Sequence, residues 1–150
     1  MFVMALAGNT MVDKASAEGK GMERIFVNES SMGFHNVAGV NVGGVMTLFV
    51  SGQVGFGENG IPETIEEQAD LAFKNVVKQL TDAGAKIEDV IKINTYIKNM
   101  DGPRAQAVGA AKAKYFTQEK QPASTWVGVT GLVFPDLLVE VECIAVVDMS

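Results

Sequence analysis

The segment Val139-Glu140-Val141-Glu142-Cys143-Ile144 holds the most unusual local pattern in the chain. Side chains alternate along a strand, so Glu140 and Glu142 share one face, about 6.5–7 Å apart, while Val139, Val141 and Cys143 take the other. A carboxyl group in apolar surroundings resists ionisation and can then act as a general acid or base. The plainer alternative is a solvated edge, or ion pairs with Lys92 and Lys98 of a neighbouring strand.

Other residues offer less. His35 is the single histidine, and no Cys, Asp or Glu stands near it at ligand spacing, so no metal site is expected. It can bind a substrate or shuttle a proton, but a surface or hydrogen-bonded histidine is the simpler reading. Ser124 and Thr125 have no base nearby in sequence and read first as strand-start hydroxyls. The glycines around Ser51-Gly52-Gln53 do not make a nucleotide-binding loop, although backbone amides there can form a nest for a carboxylate. Cys143 reads as a small core residue.

The elements that must position these groups follow from periodicity and punctuation. Residues 1–22 show no core-like pattern and are expected to be a flexible extension, leaving one domain over 23–150. Met1 to Ala7 has no basic flank and is not expected to be a secretory signal. A strand begins near Met22-Glu23-Arg24-Ile25-Phe26, and Asn36 to Val42 forms a hairpin with Val45 to Val50 around Gly43-Gly44. Gly52, Gly55, Gly57 and Gly60 predict a loop ending at Pro62.

Thr64 with Glu67 predicts a capped helix whose Ile65, Ala69, Ala72, Phe73, Val76, Val77 and Leu80 line one face, closed by Gly84. Ile91, Ile93, Thr95 and Ile97 alternate with Lys92, Asn94, Tyr96 and Lys98, the period of a strand with one solvated or functional face. Pro103 opens a second helix running to about Phe116. Trp126 to Val129 and Leu137 to Val147 complete the strands. The pattern predicts an α+β fold, a mixed sheet with two helices on one face. The other face then needs cover from a partner.

Composition limits the function classes. The 150 residues carry 12 Lys plus Arg against 18 Asp plus Glu, a formal charge of -6, with no basic cluster. Capture of nucleic acid or of an anionic membrane surface is disfavoured. No apolar run reaches the ~18 residues of a membrane span. One cysteine cannot form an internal disulfide, which fits the cytoplasm.

Taken in order, Phe49-Val50-Ser51-Gly52-Gln53, Glu67-Gln68-Ala69 leading to Asn75, Ala83-Gly84, Asp89-Val90-Ile91-Lys92, Pro122-Ala123 and Val139-Glu140-Val141-Glu142-Cys143-Ile144-Ala145 resemble the Rid family, also called YjgF. The resemblance covers about Arg24 to Val147. It implies a chorismate-mutase-like α+β subunit, a homotrimer with ligand clefts between subunits, a cytosolic location, and hydrolysis of reactive enamines and imines to keto acid and ammonia without a cofactor. In such members an arginine after Pro-Ala clamps the substrate carboxylate and a glutamate on the last strand activates water.

That glutamate corresponds to Glu140. The arginine position holds Ser124, the usual cysteine two further on is Trp126, the asparagine of the second helix falls at Gly109, and a tyrosine near the start of the fold falls at Phe34 or His35. This looks like an arginine-lacking branch. A hydroxyl cannot reproduce a bidentate guanidinium contact, so small acidic imines should bind poorly and a flatter or larger ligand is expected. The resulting expectation is a small-molecule hydrolase with Glu140 as base, Gly52, Ser124 and Thr125 holding the ligand, and Phe34, His35 and Trp126 shaping the pocket. The alternatives are a binding or regulatory trimer without chemistry, in which Trp126 serves only packing, and, last, an endoribonuclease, which sits badly with the negative charge.

Overall fold

Gly43 and Gly44, at φ 59° and 87°, make the two-residue turn that joins β3 (His35–Val42) to β4 (Val45–Val54). Both central residues of such a hairpin need positive φ, which glycine adopts without strain. β2 (Met22–Glu29) pairs antiparallel with β3, and β1 (Val12–Ser16) pairs with β2. A computed structural model describes residues 21–150 in full and, before them, the backbone of β1. The expectation of a flexible extension, and the reading of Met1 to Ala7, otherwise lie outside the described residues. β1 itself is a strand where no strand pattern was expected.

α1 (Ile65–Asp82) begins as its sequence predicts: Thr64 Oγ1 accepts from the Glu67 amide at 3.3 Å and its hydroxyl donates to Glu67 Oε2 at 2.8 Å. It ends on Gly84 at φ 82°, with the Ala85 amide donating to the Leu80 carbonyl and the Gly84 amide to that of Thr81. This left-handed cap satisfies carbonyls the helix leaves open. A short 3-10 turn, Ile87–Asp89, leads into β5 (Val90–Lys98). α2 (Gly102–Lys112) starts at Asp101, whose Oδ1 accepts from the Arg104 amide at 2.8 Å, and crosses to β6 (Ala123–Val129), parallel to β5.

β7 (Val139–Asp148) then inserts between β4 and β5, antiparallel to both, giving the sheet order β1-β2-β3-β4-β7-β5-β6. The mixed sheet with two helices is the expected α+β class. Val139, Val141 and Ala145 of β7, Leu48 of β4 and Ile93 and Ile97 of β5 are fully buried in one core with Phe73, Val76 and Leu80 of α1. Buried Gln68 of α1 fixes the approach to β7: its Nε2 donates to the Pro62 and Asp136 carbonyls and its Oε1 accepts from the Leu138 amide at 2.8 Å.

Several details differ from expectation, among them the start of β7 at Val139 and not Leu137. β4 runs through Gly52 to Val54 because a register shift between Val50 and Gln53 lets the ladder with β7 continue. β6 starts at Ala123, where β5 supplies pairing that isolated propensity does not show. α2 stops at Lys112, and Tyr115 and Phe116 reach Phe73 from the following turn. Ile91 is 54% exposed, not buried with Ile93, because the β5–β7 register shifts between Val90 and Lys92.

Candidate functional site

β7 divides the sheet into two chemical environments. Its odd positions face the helices, and Glu140, Glu142 and Ile144 take the face that no helix among the described residues covers. On that open face Glu142 is level with Asn94 of β5, and Asn94 with Thr125 of β6; Glu140 is level with Tyr96 of β5 and Val54 of β4.

The two carboxylates differ in their partners. Glu142 Oε1 accepts from Asn94 Nδ2 and from the Tyr96 hydroxyl, both at 2.8 Å. The bond to a carboxylate raises the Tyr96 hydroxyl pKa, since ionised tyrosine would lose it. Glu140 is half-buried and accepts from no donor among the described residues; desolvation first, and the nearby charge of Glu142 second, push its pKa above the ordinary value. The pair thus contains one anchored carboxylate and one whose protonated form is favoured by its surroundings. Lys92 and Lys98 do not pair with either: Lys92 Nζ donates to Thr125 Oγ1 and Lys98 Nζ to the Pro135 carbonyl.

Gly52 is bound up with Glu140 sterically. A Cβ added at Gly52 would overlap Glu140 Oε1, so the carboxylate lies directly over the backbone of the β4 bulge. Buried Gln53 holds that bulge, donating from Nε2 to Asn36 Oδ1 at 3.2 Å and to the Ser51 carbonyl at 2.9 Å. Ser51 Oγ donates to the His35 carbonyl at 2.8 Å, which sets the end of β3 beside the bulge. The His35 ring lies 5.2 Å from that of Phe26, and Phe34 is 41% exposed in the β2–β3 turn.

The remaining predicted residues divide between the faces. Thr125 lies in the open-face row with Asn94 and Glu142. Ser124 and Trp126 are level with Ile93 and Thr95, which are fully buried, and so take the helix side of β6. The Trp126 indole packs over Gly109 of α2, 3.6 Å from where a Cβ would stand, and its Nε1 donates to Ser124 Oγ at 3.0 Å. One subunit therefore brings together Glu140, Gly52 and the backbone of His35, but not Ser124 and Trp126 with Glu140. Cys143 faces the core, where burial pushes its thiol up to about 12, which keeps it protonated and unreactive.

Asn94 and Tyr96 were not singled out from sequence, although they occupy the polar row of β5. Their role rests on contacts 48 and 46 residues away. Among the described residues, no three His, Cys, Asp or Glu side chains come together to hold a metal ion, and no helix is long and apolar enough to cross a membrane.

The family model described as Endoribonuclease L-PSP matches residues 33–147. The 2-iminobutanoate/2-iminopropanoate deaminase of Dermatophagoides farinae is 34% identical over 106 residues, 68% of this chain and 79% of its own. The RutC family protein YjgH of Escherichia coli is 35% identical over 95 residues, 63% of this chain and 72% of its own. A solved Mycobacterium tuberculosis structure, described as a member of a highly conserved YjgF-type family, superposes with a TM-score of 0.63 at 31% identity, covering 76% of this chain and 86% of its own. With its α+β subunit and a match over most of its length, the chain belongs to the Endoribonuclease L-PSP family, the group also called YjgF or Rid.

Proposed function

We propose that the protein is a hydrolytic deaminase acting on a small enamine or imine, with Glu140 as the base that activates water. The observation that carries this reading is the Glu140 carboxyl itself, half-buried over the Gly52 backbone, without a hydrogen-bond donor among the described residues and with a raised pKa beside an anchored Glu142. Glu140 takes a proton from water as the oxygen adds to the carbon of the protonated imine, then passes it to the amine nitrogen; the carbon–nitrogen bond breaks as the hydroxyl proton leaves to the departing ammonia, giving a carbonyl compound and ammonium. The activity named for the Dermatophagoides farinae relative agrees with this chemistry.

No arginine stands on β4, β5, β6 or β7, and the Ser124 hydroxyl is engaged by Trp126. The substrate must then be held by backbone, by hydroxyls such as that of Thr125, and by apolar contact, which favours a larger or less acidic imine than those an arginine clamp selects. A homotrimer that covers the open sheet face, where Phe49 is 50% exposed, completes the clefts. In it Ser124, Trp126 and the Phe34–His35 turn are brought to the cleft by a neighbouring subunit. The net charge of -6 argues against RNA as the substrate.

Ammonia release from 2-aminoacrylate generated in situ, and from bulkier imines, tests the proposal. Turnover that Glu140→Gln abolishes while the assembly stays intact is the expected result; turnover retained by that variant eliminates the role of Glu140. The same Ser124–Trp126 contact favours a second reading, a trimer that binds a small molecule without chemistry, which ligand binding with no ammonia from any imine would establish.

A further inference from the structure

Strand pairing does not fix the β4 bulge beneath Glu140. The β4–β7 register passes from the Val50–Cys143 pair to the Gln53–Val141 pair and skips Ser51 and Gly52, so the ladder leaves the peptide between them free to turn. Side chains hold it instead, and they tie it to the start of β3. Ser51 Oγ donates to the His35 carbonyl at 2.8 Å. The Nε2 amide of buried Gln53 donates to the Ser51 carbonyl at 2.9 Å, with the Gly52 carbonyl next at 3.4 Å. The carbonyl and N–H of a trans peptide point opposite ways, so drawing the Ser51 carbonyl to Gln53 turns the Gly52 N–H away from it.

Gln53 is aimed in turn by Asn36. Asn36 Oδ1 accepts from Gln53 Nε2 at 3.2 Å while its Nδ2 donates to the Asn28 carbonyl at 3.0 Å, so this amide is held at both ends and cannot flip without losing both bonds. Asn28 lies at φ 56°, a conformation asparagine tolerates, and its Nδ2 donates to Gln79 Oε1 and Asp82 Oδ2 of α1. Gln79, Asn28, Asn36 and Gln53 thus form a strut from the last turn of α1 to the bulge.

We propose that Asn36 is a positioning residue of the hydrolytic site, acting through Gln53 to set the Ser51–Gly52 peptide over which the Glu140 carboxyl lies. The assignment rests on the hydrolytic reading. Gly52 has room for that carboxyl only because it lacks a Cβ, so a small turn of the peptide displaces Glu140 from the water it activates. The strut lies within one subunit and is complete without a partner.

Three variants of the full chain separate positioning from stability. Asn36→Ala, at a half-buried position that should tolerate the change, removes both bonds. Asn36→Asp keeps the acceptor for Gln53 and loses only the donor to Asn28, and Asn28→Gly cuts the strut at α1 while keeping the Asn28 carbonyl and its φ. The readouts are the proton–nitrogen amide resonance of Gly52 and ammonia release from 2-aminoacrylate generated in situ. Asn36→Ala should shift the resonance and lower kcat at least tenfold with KM nearly unchanged, and Asn36→Asp should restore the resonance and bring kcat within about threefold of wild type. Asn28→Gly should lower the melting temperature and leave both readouts in place. A Gly52 resonance unmoved in Asn36→Ala overturns the proposal, as does an Asn36→Asp protein no better than Asn36→Ala, or turnover lost equally in Asn28→Gly, which would tie activity to stability alone. If the wild-type chain releases no ammonia, the hydrolytic reading loses this substrate, and the Gly52 resonance by itself decides whether Asn36 sets the bulge.

Discussion

The two faces of the central sheet are built from the same strands and have opposite chemistry. Toward the helices, Val139, Val141, Cys143 and Ala145 of β7 meet Ile93, Thr95 and Ile97 of β5, and of these only Thr95 carries a hydroxyl. One residue along, Glu140, Glu142, Asn94 and Tyr96 form the polar face. Burial acts on both: it keeps the Cys143 thiol protonated and silent, and it makes Glu140 easier to protonate and so more useful. The difference lies in access, because the helices seal the first face and nothing among the described residues seals the second.

If that division is sound, stability and activity should separate by face. Phe73→Ala removes a fully buried ring that stacks on Tyr115 at 5.4 Å, and should cost about 3–5 kcal/mol in urea unfolding while each folded molecule keeps its activity. Gly52→Ala should do the reverse, displacing the Glu140 carboxyl and lowering ammonia release by roughly 100-fold, about 2.7 kcal/mol of barrier, with a nearly unchanged melting temperature. A Gly52→Ala protein with full turnover would break the comparison. Thr95 tests the sealed face more finely. Its buried hydroxyl has no partner among the described residues, so Thr95→Val should raise stability by about 1 kcal/mol, read as a higher denaturant midpoint.

The smallest effect is a pH dependence of stability. Glu140 keeps its proton in the folded chain at pH values where the unfolded chain has lost it. Its stabilising contribution is full below the ordinary value of 4.5 and is lost as pH rises through its raised native value. Asp70 of α1 behaves oppositely: the Lys74 bond first, with Lys114 assisting, lowers its pKa, so its contribution is present above 3.8 and lost as pH falls through its lowered native value. Glu140→Gln should remove the first slope and leave the second, measured by melting at a series of pH values.

Local signals made much of this legible in sequence. The Thr64–Glu67 box and Gly84 marked both ends of α1, the Gly43-Gly44 pair marked its hairpin, and alternation assigned the faces of β7 correctly. What escaped depends on partners distant in sequence. Ile91 obeys the alternation of β5 and is nevertheless exposed, because a register shift against β7 intervenes. Gly52 read as loop because a bulge that keeps pairing with β7 has no signature of its own in β4. The face shared by Glu140 and Glu142 was readable, but their inequality was not: it comes from Asn94 and Tyr96, which only the β5–β7 register brings to Glu142.

The place of β7 also governs when the molecule can exist. β1 to β4 with α1, and β5 to β6 with α2, are joined in the sheet only through β7, which is the last of these elements to be synthesised. A nascent chain lacking β7 holds two half-sheets, each with an unpaired inner edge, the arrangement that most invites pairing with the wrong strand. Because β7 also carries Glu140 and Glu142, the protein cannot set that pair beside the Gly52 bulge before its sheet has closed.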